Sequence, residues 1–94
     1  MNNTEAQKVL REQLALFSGH SHLELTRLVE GKRVEAYAIH TKGGKTYQVE
    51  IQLFWDDQPG NTIRILGSVD DGGIRAFFPL TESVLIPRPN VDTA

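Results

Sequence analysis

The hydrophobic pattern changes period once along the chain. From Thr4 to Ser18, Ala6, Val9, Leu10, Leu14 and Phe17 recur at three- and four-residue spacing, while Lys8, Arg11 and Glu12 fall between them. That spacing lines one face of a helix. Thr4 with Gln7 three residues on is a capping-box pattern, and Gly19 is a natural stop. From Leu23 onward the period is two. The clearest run is Thr46 to Trp55, with Tyr47, Val49, Ile51, Leu53 and Trp55 on one parity and Thr46, Gln48, Glu50 and Gln52 on the other. This is the alternation of a half-buried strand, and the rest of the chain is read as pairing with it or covering its apolar face.

Around that strand the pattern predicts four more. Leu23 to Val29 is read as a first strand, turned by Glu30-Gly31-Lys32 into a second over Arg33 to Thr41. Lys42-Gly43-Gly44-Lys45 follows, and Gly-Gly at the two central positions predicts a type I′ hairpin turn. That turn sets His40 opposite Tyr47, Ala38 opposite Val49, Ala36 opposite Ile51 and Val34 opposite Leu53. Thr62 to Asp70 is the next strand, after a loop marked by Pro59-Gly60, and Leu53 is paired with Ile63 across it. Asp70-Asp71-Gly72-Gly73 is a turn into a strand over Ile74 to Phe78, with Phe78 covering the bare Gly67. Val84-Leu85-Ile86 is an edge strand or a plug under the sheet. The expected fold is α+β, an N-terminal helix on an antiparallel meander of about five strands. It forms one domain over residues 1–94, with residues 1–3 and 88–94 as flexible ends.

These registers place a row of Tyr37, Glu50, Leu66 and Phe77 on the face that one helix leaves open. Glu35, Gln52 and Arg64 border it on one side, and Ile39, Gln48, Ser68 and Arg75 on the other. An apolar centre inside a charged border is the layout of a modest interface. The partner-binding set is therefore Tyr37, Glu50, Arg64, Leu66, Arg75 and Phe77, with a second copy of the chain or another protein as partner. Scattered apolar residues on a solvated sheet face are the plainer alternative.

Composition narrows the chemistry further. The net charge is −2 and no cysteine is present, with an isoelectric point near 5.9. Nucleic-acid and anionic-membrane surfaces are thus not the expected partners, and neither disulfides nor thiolate chemistry contribute. The N-terminus lacks the basic and apolar regions of a signal peptide, which points to a cytoplasmic setting; a bacterial source is expected without a residue-level reason. Asp56-Asp57 and Asp70-Asp71 sit where turns need Asp and Gly. His20 and His22 form a His-x-His pair with nothing to complete a metal site. No nucleophile elbow and no phosphate loop occur, so no catalytic residue, cofactor or metal is expected. A second reading takes the protein as a small-ligand binder or minor enzyme. Its pocket would lie between helix and sheet near His22, His40, Tyr47 and Trp55.

Overall fold

The computed structural model describes residues 3–73 and 79–89. Two helices, α1 (Asn3–Ser18) and α2 (His22–Glu30), precede four strands: β1 (Val34–His40), β2 (Thr46–Trp55), β3 (Ile63–Asp70) and β4 (Leu80–Ile86). The strands form one antiparallel sheet in the order β1-β2-β3-β4, so the chain is α+β and the meander follows chain order. Both helices lie on the same side of the sheet. Ala6, Val9, Leu10 and Leu14 of α1, with Leu25 and Val29 of α2, are buried against Tyr47, Val49, Ile51, Leu53, Ile63, Ile65 and Val69.

α1 begins one residue ahead of the predicted start and keeps its apolar stripe. It lies mainly over β3 and β4. Gly67 permits this: a Cβ there would stand 2.7 Å from Leu10 Cδ1 and 3.1 Å from Leu14 Cδ2. Polar side chains tie the helix down on both flanks. The Tyr47 and Tyr37 hydroxyls donate to Glu5 Oε1 at 2.7 Å and to Gln13 Oε1 at 2.8 Å. On the other side Arg11 Nε donates to Glu82 of β4 at 3.0 Å. Burial, and then the charge of Glu35, raise the Tyr37 hydroxyl above its ordinary value.

The segment expected as the first strand is instead α2. Ser21 caps it: the Glu24 amide donates to Ser21 Oγ at 3.1 Å, and Ser21 N donates to Glu24 Oε1 at 2.9 Å. This reciprocal capping box satisfies two amides that a helix start leaves unpaired. Leu25 and Val29, four residues apart, then bury one helical face, whereas Leu23 stands exposed. The alternation of Leu23, Leu25 and Val29 imitated a strand over too few residues to outweigh the cap.

The β1–β2 hairpin forms, but one residue out of the expected register. Thr41 N donates to Lys45 O at 2.8 Å and Gly44 N to Thr41 O at 3.1 Å. Of the two turn glycines Gly44 has a positive φ, +86°. The loop thus has three residues, closed by a left-handed glycine, in place of a two-residue type I′ turn. Tyr37 pairs with Val49 and Ile39 with Tyr47, and Ala36 and Ala38 face Glu50 and Gln48. A one-residue slip moves every side chain to the other face. This register sends Tyr37 and Ile39, rather than two alanines, toward the helices, which removes more apolar area from water.

β3 keeps its predicted faces but shifts by two residues, so that Leu53 pairs with Ile65 and Trp55 with Ile63. The strand beside β3 is Leu80–Ile86, with Val84 opposite Ile65 and Glu82 opposite Gly67. Val84 to Ile86 is therefore part of an edge strand, and α1 covers Gly67. The strand expected over 74–78 lies outside the described residues. Among the described residues the sheet has four strands rather than about five: the segment expected first is α2, and Leu80–Ile86 supplies β4.

Candidate interaction face of the sheet

Neither helix covers the second face of the sheet. Its rows, read across the strands, follow from the registers. One holds Val34, Gln52, Leu66 and Ser83; the row toward the Trp55 end holds Phe54, Arg64 and Leu85; the row on the other side holds Ala36, Glu50, Ser68 and Thr81. Large apolar side chains gather at one end of this face. Val34 is 49% exposed, Phe54 40% and Leu85 47%, with Leu66 half-buried between them. Two other large apolar residues, Leu16 and Leu23, are exposed on the helices instead.

Arg64 lies in the middle of the apolar end and is held from two sides. Its Nε donates to Asp56 Oδ1 at 2.7 Å and an Nη donates to Ser83 Oγ at 2.6 Å. Asp56 thus reaches across from the β2–β3 loop, while Phe54 and Leu85 pair with Arg64 on its two neighbouring strands. An arginine held by two partners between apolar neighbours offers both contact area and ready-made donors.

The two sheet edges are built differently. Glu35 of β1 and Glu82 of β4 occupy the two ends of one row, Glu35–Ile51–Gly67–Glu82, on the helix side. Pro79 and Pro87 flank β4. Charges turned inward on edge strands, and prolines beside them, disfavour the addition of a further strand.

Of the predicted partner-binding residues, Glu50, Arg64 and Leu66 stand on this open face, with Glu50 and Leu66 in neighbouring rows rather than one and Arg64 in the row beyond Leu66. Tyr37 does not. The hairpin register turns it to the helix side, where it bonds Gln13. Arg75 and Phe77 lie outside the described residues. Val34, Phe54 and Leu85 were not singled out from the sequence. Phe54 broke the alternation of its strand, and that break was the signal available.

The alternative pocket does not assemble. Tyr47 is buried beneath α1, at the opposite end of β2 from Trp55, eight residues or about 27 Å along the strand. His40 lies near Tyr47 but faces outward, 2.9 Å from Thr46 Oγ1 through Nδ1. His22 and Trp55 do meet, with ring centroids 6.0 Å apart. His22 Nε2 donates to Asn61 O at 2.6 Å, which pins the start of α2 to the β2–β3 loop. The two halves of the proposed set thus serve opposite ends of the molecule.

The acidic pairs are spent on local structure. Asp57 accepts from Gln58 N at 2.6 Å and Asn61 Nδ2 at 2.7 Å, and the Gln58 amide foremost holds its carboxyl below the usual range. Asp70 accepts from Gly72 N and Asp71 from Gly73 N. Among the described residues no three acidic, His or Cys side chains group as a metal site, and no helix is long and apolar enough to cross a membrane. No protein-family model, curated protein or solved structure matches the chain.

Proposed function

We propose that the protein is an interaction module that associates with a second copy of itself through the open face of its sheet. The observation carrying this reading is the gathering of Val34, Phe54 and Leu85, each 40–49% exposed, around Leu66 and the clamped Arg64 on one face. A contiguous apolar patch rimmed by polar residues is the surface feature most often covered by a partner. Charge favours a second copy. Arg64 and Glu50 lie in rows on either side of Val34–Gln52–Leu66–Ser83. A two-fold axis along that central row lays Phe54–Arg64–Leu85 of one copy over Ala36–Glu50–Ser68–Thr81 of the other. The apolar end of each copy thus covers the polar end of the second, and Arg64 stands over Ser68, one strand from Glu50. The guarded edges leave face-to-face packing as the favoured route.

Light scattering on a size-exclusion column, over a range of loading concentrations, tests this reading. The wild type is expected to rise above the 10.5 kDa of one chain as concentration increases. Leu85→Asp is expected to remain at that mass with unchanged circular dichroism, and Glu50→Arg to need a higher concentration to associate. A wild type that stays monomeric throughout overturns the proposal.

A further inference from the structure

β2 is longer than its neighbour. β1 begins at Val34, opposite Gln52, so Leu53, Phe54 and Trp55 pair with Ile65, Arg64 and Ile63 on one side and, among the described residues, with no strand on the other. A cleft of about 430 Å³ occupies the vacant place, lined by Val29, Lys32, Arg33, Val34 and β2 residues Gln52 to Trp55. Side chains of both sheet faces line it, as expected where a strand edge is left open. Its volume is that of a ligand-holding cleft. Amides and carbonyls alternate between the two sides of a strand, so this stretch turns at least one of each toward the cleft.

The charges at one end of the cleft give it a direction. Lys32 and Arg33 immediately precede β1 and are exposed, and among the described residues of the lining Glu30 is the one anion. Lys32 also holds a left-handed backbone, φ +52°, directly after Gly31, which is right-handed at φ −73°. A residue with a side chain thus stands in the conformation that glycine adopts most cheaply. A strand laid beside Leu53–Trp55 and antiparallel to β2 runs in the same direction as β1. Its C-terminus then abuts Val34, next to Lys32 and Arg33. A strand running the other way would bring its positively charged N-terminus there.

We propose that this cleft binds the free C-terminal end of an extended peptide. Three residues of the peptide add to the open edge of β2, and the terminal carboxylate is held by Lys32 and Arg33. Main-chain hydrogen bonds to a strand edge with capture of a terminal carboxylate are recurring modes of peptide recognition. Alternate peptide side chains fall on the two faces, one set toward Val29, Leu53 and Trp55, the other toward Val34 and Phe54. All five are apolar, so the peptide expected to bind carries apolar residues at its last three positions.

Trp55 is the sole tryptophan and lines the cleft, so its fluorescence reports occupancy. The probe is a pool of N-acetylated hexapeptides with the last three positions randomised among Val, Ile, Leu and Phe. One pool ends in the free acid and the other in the amide. Titrations use the Leu85→Asp chain, in which the proposed self-association is removed, so that failure here is separate from failure there. The free-acid pool is expected to shift Trp55 emission saturably, with the amide pool at least about tenfold weaker, about 1.4 kcal/mol. Lys32→Gly relieves the left-handed backbone while deleting the cation, so a loss of affinity in that variant is not a loss of folding. It is expected to melt no lower than its parent and to bind the acid pool several-fold more weakly. No response to either pool, equal affinity for acid and amide, or unchanged affinity in Lys32→Gly with Arg33→Ala each overturns the proposal.

Discussion

At Gly67 the absence of a side chain decides how closely α1 approaches the sheet. The added Cβ would meet Leu10, Leu14 and, at 3.2 Å, Ile51 Cδ1, and all three side chains are buried with little room to move. Gly67→Ala is expected to destabilise the fold by about 1–2 kcal/mol, overpacking outweighing the gain in chain entropy; urea unfolding measures it. Tyr47 sets a different signature. Burial first, and then the bond to Glu5, push its hydroxyl up from 10.0 to about 12. The fold favours the protonated phenol, so this contribution is complete below pH 10 and is lost as pH rises toward 12. In Tyr47→Phe the alkaline fall in stability across that window should flatten. Tyr37, raised in the same direction, leaves a residual slope. Melting temperatures measured from pH 8 to 11.5 give the comparison.

Among the elements, α2 depends most on a local motif. It has nine residues, too few to persist alone, so its cap and its buried Leu25 and Val29 act together. Ser21→Ala is expected to lower stability by about 1 kcal/mol, read from chemical denaturation. The Ser21 amide foremost, and then the Ser21 hydroxyl, hold the Glu24 carboxyl below its usual value of 4.5. Its ionised form is the one the fold favours, so that contribution is present above pH 4.5 and is lost as pH falls below it. Glu24→Ala should therefore show a shallower acid-side decline than the wild type, visible in melts between pH 3 and 6.

Over the whole molecule, the two helices divide the sheet into a sealed face and an open one. If the open face associates with a second copy, stability is linked to concentration, because only folded chains present the patch. The wild-type melting temperature should rise with protein concentration, and that of Leu85→Asp should not. Scanning calorimetry over a tenfold or greater range of concentration separates the two. The open end of β2 and the guarded ends of β1 and β4 extend the same division: strand addition is discouraged along the edges and left possible at one three-residue gap.

The sequence by itself determined α1, the strands β2 and β3, the hairpin leading into β2 and the α+β class. Each rests on a long period or a turn motif whose cause is local. It also carried the Ser21-x-x-Glu24 cap of α2, a signal set against three alternating apolar residues that imitated a strand. What it did not determine was register. Gly43-Gly44 suits a two-residue loop and a three-residue loop alike, and the two differ by which face Tyr37 occupies. Only the competition of Tyr37 and Ile39 with Ala36 and Ala38 for space under the helices resolves it. The candidate face inherited that ambiguity: Glu50, Arg64 and Leu66 kept their side of the sheet because a two-residue shift preserves faces, while Tyr37 lost its side to a one-residue slip. The pairing of β3 with Leu80–Ile86, the grouping of Val34, Phe54 and Leu85, and the gap beside Leu53–Trp55 are products of tertiary structure. Each depends on where one strand stops relative to another, and no local period in the chain encodes that.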